Sequence, residues 1–327
     1  AAPAAALSAG MAGLRPGRAP AANPNAANPN AAVPGAANPG ATNPAASAPV
    51  AAPDPALAEA RDPADPAALP RIGPDGQAAM AVYAAPFAAP ATTPRIALVL
   101  GGIGMDAEAS QAAIRVLPGA VTLAVSPYAP DPAPLLAQAR AAGHEYLVEL
   151  PLEPARYPLN DPGPQTLLTG APAGQNKMRL DWALTRFAGY VGAIGALAGM
   201  QGERFAHDPV LMHRLARRLA GRGLLYVDPR PGAAALPDLW QRDVDVVIDT
   251  PPDRAAIAAA LGRLAALARR NGSALGYAAS PATTTLAAIA AWAGTLAGQR
   301  LVLAPASAIM HPPPAAGPDA KSPETPQ

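Results

Sequence analysis

Apolar residues along this chain fall into short continuous runs that end in glycine, proline or an acidic residue. The clearest run is RIALVLGGIG at residues 95–104, in which IALVL leads directly into glycines. Such a run is typical of a parallel-sheet strand that is covered on both faces. Further runs of this form are VTLAVSP (121–127), EYLVELP (145–151), GYVGAIG (189–195), LLYVDPR (224–230), DVVIDT (245–250), SALGY (273–277) and RLVLAP (300–305).

Stretches with helical spacing lie between most of these runs. The clearest cover residues 131–142, 174–187, 208–222, 253–270 and 281–297. Asp208 and Asp253 stand where N-caps are expected. Strands alternating with helices predict an α/β fold with a mostly parallel sheet, and this many strands favour a barrel, complete or incomplete, over a small open sheet. A Rossmann-type, nucleotide-binding domain is the weaker alternative, because the third glycine of G-x-G-x-x-G falls on Ala107.

In parallel α/β folds the chemistry lies at the carboxyl ends of the strands. At the end of the first long run stand Gly101 and Gly102, which have no side chain to bind a metal or move a proton. Glu149 and Glu153 lie in VELPLEP (148–154) and flank the end of the third predicted strand. Two nearby carboxyl groups can work as an acid/base pair if the pKa of one is raised; alternatively, they hold loop amides. We take Glu149 as a candidate catalytic residue.

Further polar side chains follow later strands. Asp228, the second candidate catalytic residue, and Arg230 close LLYVDPR, where Arg could bind an anionic group bidentately. Asp249 ends VIDT, and Arg204 lies in QGERF. We expect Gly101, Gly102, Glu153, Arg204, Arg230 and Asp249 to line a pocket. None of the four histidines has a partner at convincing metal-ligand spacing, so no metal ligand is assigned.

Composition divides the chain into three parts. Of 327 residues, 43 are Pro and 29 are Gly, and residues 1–90 are dominated by Ala, Pro, Asn and Gly. This segment predicts a long disordered linker, because Pro removes backbone donors and few large apolar groups are present. Residues 91–310 then form one domain, and residues 311–327 form a disordered tail.

Charge and cysteine content narrow the function. With a net charge of +1, the chain lacks the excess of basic residues that is typical of nucleic-acid-binding proteins. The absence of Cys excludes disulfides and Cys-ligated metals. No apolar run is long enough to span a bilayer. A long Ala/Pro-rich linker is typical of a tether between a membrane anchor and a domain of the cell envelope. We therefore expect the protein to be periplasmic or membrane-tethered in the cell envelope. The pattern indicates no particular oligomeric state.

Several segments resemble, in order and spacing, the divergent polysaccharide deacetylase family of bacterial envelopes. The most specific are YPLNDPGPQTLLTG (157–170) and RLDWAL (179–184), with RIALVLGGIG, LPGAVTLAVSPYAPD and RGLLYVDPRP in support. The resemblance covers about residues 94–310. It implies a distorted (β/α) barrel related to carbohydrate-esterase deacetylases and a polysaccharide partner. It also implies a divalent metal such as zinc held by one Asp and two His, with a second Asp as base.

This sequence departs from the pattern that the resemblance implies. Gly101 and Gly102 stand where the family has an Asp-Asp pair. The family's His-containing run after the fourth strand matches AIGALAGMQGER (193–204), and its Gly-His-Pro-like turn matches GYAASP (276–281); neither holds a histidine. Asp228 falls on an acidic position of the family, and Arg204 on an arginine.

Two functions remain open at this point. The first is a metal-dependent deacetylase of envelope carbohydrate, with a relocated metal site built from Glu149, Glu153, Asp228 and Asp249. The second is a catalytically inactive glycan-binding or scaffold domain on the same barrel. In that case aromatic side chains are the expected contacts: Tyr128, Tyr157, Tyr277 and Trp240.

Overall fold

A computed structural model of the chain describes residues 48–59 and 68–314. The strands are β1 (Ala58–Glu59), β2 (Leu69–Pro70), β3 (Arg95–Ile103), β4 (Thr122–Val125), β5 (Tyr146–Glu149), β6 (Gly192–Ile194), β7 (Leu225–Asp228), β8 (Gln241–Asp243), β9 (Val246–Val247), β10 (Ser273–Ala278) and β11 (Val302–Leu303).

The helices are α1 (Ala79–Val82), α2 (Ala107–Val116), α3 (Ala133–Ala141), α4 (Ala173–Leu184), α5 (Glu203–Ala206), α6 (Pro209–Ala220), α7 (Arg254–Asn271) and α8 (Thr283–Ala293). The N-caps expected at Asp208 and Asp253 are confirmed, since each side chain accepts hydrogen bonds from the first turn of α6 or α7. Helix α7 ends at Gly272, whose φ of 80° suits a glycine.

The main sheet is curled and parallel, with the order β8-β7-β6-β5-β4-β3-β10-β9 and β11 pairing with β3. Strands β8 and β9 lie on opposite edges, although only Val244 and Asp245 separate them in the chain. The link is held by Arg242, whose Nη2 donates to Asp245 Oδ2, and by Asp245 Oδ2, which accepts from Leu275 N. The predicted α/β distorted barrel is confirmed as a curled parallel half-barrel with helices.

The pleat of the strands sorts side chains between the barrel interior and the helices. A Cβ on Gly276 would lie 2.8 Å from Leu264 of α7, so that position faces the helices, and Tyr277, the next residue, faces the interior. On β5, Glu149 has its carboxyl beside Gly101 and shares this interior. The register aligns Glu149 with Ile194 and Val227, so Asp228, one residue further on β7, points to the opposite face.

The folded part of the chain begins before the boundary expected at residue 91. Within the expected linker, Val50 N donates to Arg140 O, and Met80 N donates to Gly223 O. Leu57, Leu69 and Tyr83 are buried in the core. These scattered apolar residues give the segment enough area to bury, which the Ala/Pro background masks in the sequence. The rest of the expected linker, residues 1–47 and 60–67, lies outside the described residues.

The carboxyl end of the described chain also packs on the barrel. After β11, a 3-10 helix spans Ala306–Ile309, and His311 pairs with Gln241 of β8. The expected tail is therefore tied to the sheet at its first residue, and residues 315–327 lie outside the described range. Across residues 48–59 and 68–314, each helix is too short or too polar to cross a lipid bilayer.

Candidate functional site

A cleft opens at the carboxyl ends of β3, β4, β5 and β6. Its volume is about 280 Å³. Most of the lining is apolar, and the polar side chains in it are few. It is lined by Gly102, Met105, Ser126, Tyr128, Glu149, Asp161, Pro162, Gly163, Pro164, Leu197, Ala198 and Met200. A cleft that is mostly apolar, with a few polar groups, is the usual form of a ligand site.

One wall of the cleft is the loop NDPGP (160–164), which belongs to the segment YPLNDPGPQTLLTG singled out in the sequence. Asp161 Oδ1 accepts from Gly163 N at 2.8 Å, forming the turn. Gln165 N donates to the hydroxyl of Tyr128 at 3.0 Å, which joins the loop to the segment that follows β4. The Tyr128 ring packs on Trp182 with centroids 5.1 Å apart. Tyr128 therefore contacts both of the segments that carry the strongest family resemblance, 157–170 and 179–184.

Glu149, at the end of β5, supplies the carboxyl group of the cleft. The residue is completely buried. Gly102 N donates to its Oε1 at 3.0 Å, whereas its Oε2 has no hydrogen-bond partner among residues 48–59 and 68–314. Burial raises the pKa of this carboxyl to about 8, and the single bond from Gly102 only partly opposes the shift. Glu149 is thus a neutral carboxylic acid at neutral pH, with one oxygen free to bond.

The ends of β3 and β10 meet Glu149 at Gly101. A Cβ at Gly101 would lie 2.7 Å from Glu149 Oε1 and 2.8 Å from the hydroxyl of Tyr277. That hydroxyl is likewise without a partner in the described part of the chain. Burial raises the Tyr277 pKa well above its usual value, and Glu149 and Asp249 add to the shift. The space beside Gly101 is therefore occupied by two buried polar groups from other strands.

Gly102 is held in a conformation that favours glycine. Its φ is +72°, and a Cβ there would lie 3.2 Å from Ala279 O and 3.2 Å from Pro281 Cδ. Of the two glycines expected in the pocket, Gly102 lines the cleft with its backbone and donates to Glu149. Gly101 lies beneath, against the Glu149 carboxyl.

Asp228 and Arg230 form an ion pair away from the cleft lining. Arg230 Nε donates to Asp228 Oδ1 at 2.9 Å, and Nη2 donates to Oδ2 at 2.7 Å. The Asp228 side chain is 4% exposed and that of Arg230 is 21% exposed. Asp228 points to the face opposite Glu149, so the two candidate catalytic residues do not share one site. Both carboxylate oxygens are engaged by the arginine.

Glu153 and Arg204 form a second pair beyond the end of β5. Glu153 Oε2 accepts from the backbone and hydroxyl of Thr169, at 2.5 Å and 2.8 Å. Its Oε1 lies 3.2 Å from Arg204 Nη1. The side chain of Arg204 is 55% exposed, so this residue covers the buried carboxyl from the solvent side. The geometry matches the loop-holding role that the sequence left open for Glu153.

Asp249, after β9, binds the turn that follows β10. Its carboxylate accepts from Ala279 N at 2.9 Å and 3.0 Å, and from Ser280 N at 3.2 Å. These bonds fix the GYAASP turn behind Gly102. Of the six residues expected to line the pocket, Gly102 alone belongs to the cleft lining, together with the candidate catalytic residue Glu149.

Of the aromatic residues considered as contacts from the sequence, one lines the cleft, and several other lining residues were missed. Tyr128 lines the cleft, while Tyr277 is buried beneath it rather than exposed at its mouth. Met105, Ser126 and Met200 were not singled out. Met105 directly follows GGIG, so its position one step beyond a strand tip was the available signal.

Residues 98–310 match the profile of a family described as divergent polysaccharide deacetylase. The chain belongs to this family. The match spans well over half of the chain, including every strand of the main sheet except the start of β3. A search of curated proteins finds no match.

Two solved structures are similar to this member of the divergent polysaccharide deacetylase family. An uncharacterized protein from Agrobacterium tumefaciens C58 is 35% identical, with a TM-score of 0.68, covering 74% of this chain and 98% of its own. The catalytic domain of a peptidoglycan N-acetylglucosamine deacetylase from Eubacterium rectale ATCC 33656 is 14% identical, with a TM-score of 0.45, covering 68% of this chain and 94% of its own.

The side chains at the strand tips do not fit the metal centre that the resemblance implies. No three His, Cys, Asp or Glu side chains in residues 48–59 and 68–314 are arranged to hold a metal ion. Glu149, Glu153, Asp228 and Asp249 have separate partners, as described above, so the relocated site considered from the sequence is not assembled from them.

Proposed function

We propose that this member of the divergent polysaccharide deacetylase family binds an envelope polysaccharide in the cleft and lacks the metal-dependent hydrolysis of related enzymes. The observation that carries the proposal is the filling of the space beside Gly101 by Glu149 and Tyr277. An aspartate at that position would collide with both groups, so the tip of β3 is built around an uncharged, buried carboxyl.

The cleft suits an uncharged, partly apolar ligand such as a glycan. Its lining includes the side chains of Met105, Tyr128 and Met200 and no Lys, Arg or His from the described residues. Aromatic and apolar side chains cover the less polar faces of sugar rings, while a few buried polar groups set orientation. The expected periplasmic or membrane-tethered location belongs to the same proposal, since it would bring the cleft to envelope glycans.

Two assays with the full chain test the proposal: binding to a glycan and release of acetate from that glycan. We expect the protein to be retained on insoluble peptidoglycan in the presence of a chelator. Met105→Arg places a charged side chain at the cleft and is expected to lower the retained fraction several-fold. Met178→Arg is the matched control, because Met178 is 65% exposed on α4 and Met105 is 59% exposed at the cleft.

Two outcomes would contradict the proposal. One is acetate release from the glycan on adding zinc, above the rate without protein and abolished in Met105→Arg but not in Met178→Arg; this would restore a metal-dependent deacetylase. The other is equal retention of the two arginine variants, which would remove the cleft from glycan binding.

A further inference from the structure

Two buried polar groups at the base of the cleft are unused by the fold. Glu149 Oε2 and the Tyr277 hydroxyl have no hydrogen-bond partner within residues 48–59 and 68–314. Leaving a buried polar group unpaired is costly, because the group has given up its bonds to water. Both side chains lie against the same glycine: the ideal Cβ position of Gly101 is 2.7 Å from Glu149 Oε1, the other oxygen of that carboxyl, and 2.8 Å from the Tyr277 hydroxyl. Two unpaired groups beside one cleft point to a ligand that pairs with them.

The surroundings of Glu149 determine what kind of group can bind there. Gly102 N–H on β3 donates to Oε1, Tyr277 approaches from β10, and Ile194 lies beside it on β6. The acidic neighbours are Asp161 in the loop, engaged with Gly163 N, and Asp249, engaged with the β10 turn. No cation of the described chain lines the cleft.

An uncharged carboxyl fits this setting better than a carboxylate. Without a cation in the cleft lining, an ionised Glu149 would be a buried charge held by one backbone donor. A neutral carboxyl carries an O–H donor. With the Tyr277 O–H, the site offers two side-chain donors to an incoming oxygen.

We propose that Glu149 and Tyr277 form a two-donor site for one uncharged oxygen acceptor of the bound ligand, a carbonyl or a hydroxyl oxygen, with the neutral Glu149 carboxyl as a donor. This inference rests on the proposed function for the identity of the ligand. The two donors come from Glu149 on β5, which lines the cleft, and from Tyr277 on β10, which lies directly beneath it. Binding is then linked to the proton on Glu149, and it weakens when that proton leaves.

The test uses three tetrasaccharide probes and the full chain. The probes are oligomers of N-acetylglucosamine, which offers a carbonyl, of glucose, which offers hydroxyls, and of glucosamine, which offers a cation. Affinity is measured by calorimetry from pH 6 to pH 10. Wild-type affinity for an uncharged probe is expected to be constant below about pH 7 and to fall about tenfold per pH unit above the carboxyl pKa of about 8.

Variants separate the two donors. Glu149→Gln keeps an uncharged donor and should bind with no pH dependence in this range. Tyr277→Phe should weaken binding several-fold at pH 6 while keeping the wild-type pH profile. Glu108→Gln removes one exposed negative charge from α2 and should behave as wild type. A stronger response to the N-acetyl probe identifies the acceptor as a carbonyl, and an equal response to the glucose probe identifies a hydroxyl.

The inference can fail separately from the proposed function. Glycan binding with the same pH profile in wild type and Glu149→Gln would overturn the inference and leave the proposed function standing. Tighter binding of the glucosamine probe would also overturn it, because Glu149 would then act as a carboxylate.

If no tetrasaccharide binds, acetamide serves as the probe in infrared difference spectra of wild type against Glu149→Gln. A shift of the protonated carboxyl band on adding acetamide supports the two-donor site although the glycan proposal has failed. An unshifted band, or none at pH 6, overturns the two-donor site.

Discussion

The two ends of β5 carry carboxyl groups that the sequence EYLVE makes look alike. Glu145 and Glu149 are both completely buried. Glu145 accepts from Thr122 Oγ1, Ala85 N, and both the backbone and the hydroxyl of Ser307. Glu149 accepts from Gly102 N and has one oxygen without a partner in the described chain. The Glu145 carboxyl is thus held by four hydrogen bonds within the protein, whereas the Glu149 carboxyl keeps one oxygen available to a ligand.

This difference follows the polarity of the barrel. At the amino ends of the strands, the Glu145 carboxyl joins the start of β5 to three distant parts of the chain: the segment before β3, the start of β4 and the 3-10 helix after β11. At the carboxyl ends, Glu149 borders an apolar cleft. The carboxyl that stabilises the fold and the carboxyl that borders the cleft thus lie at opposite ends of one strand, as is usual for parallel barrels.

The largest expected effect is the pH dependence that Glu149 imposes on stability. Its pKa is raised in the folded protein from 4.5 to about 8. The folded state therefore holds this proton more tightly than the unfolded state, so its contribution to stability is full below pH 4.5 and is lost as the pH rises to about 8. At about 1.4 kcal/mol per pH unit, the total is on the order of 5 kcal/mol.

Glu149→Gln isolates this contribution, because all other titrating groups, including Glu145, are common to both proteins. The free energy of unfolding of the variant minus that of wild type should rise between pH 5 and pH 8 and level off above. The measurement is urea unfolding at several pH values. A difference that stays constant with pH would mean that Glu149 is ionised in the folded state.

The second prediction compares removal of the two carboxyl groups at pH 6, where Glu149 is neutral. Glu145→Ala deprives four donors of their acceptor and should lower the free energy of unfolding by about 3 kcal/mol or more. Glu149→Ala deprives one donor and should lower it by about 1 kcal/mol. Urea unfolding of both variants measures the comparison. Equal losses would show that the Glu145 bonds carry no special share of the stability.

The barrel was readable from the sequence because its strands are continuous apolar runs. IALVL became β3, and each of the other predicted runs contains a strand. Strand β8, with the sequence QRD, was missed because three polar residues carry no such pattern. Its position depends instead on Arg242, which binds Ser273 and Asp245.

The candidate site was less readable because its properties depend on contacts between distant residues. Sequence reasoning found Glu149 as a strand-end carboxyl and overlooked Glu145, although only the partners of the two differ. Asp228 was grouped with Glu149 since both end strands, and the register that turns them to opposite faces is set by pairing through β6. Neither the strand register nor the occupation of the space beside Gly101 by Glu149 and Tyr277 can be inferred from a local sequence pattern.

The smallest predicted effect compares one hydroxyl at each end of the barrel. Ser307 Oγ donates to Glu145 Oε2 at 2.5 Å, so Ser307→Ala should lower the free energy of unfolding by about 1–2 kcal/mol. Tyr277→Phe removes a hydroxyl that has no partner in the described residues. Because no bond is lost and a buried polar group is removed, the free energy of unfolding of Tyr277→Phe should equal that of wild type or exceed it by up to about 1 kcal/mol. Thermal and urea unfolding without ligand measure both. If Tyr277→Phe destabilised the protein more than Ser307→Ala, its hydroxyl would be serving the fold, and the contrast between the two ends of β5 would be lost.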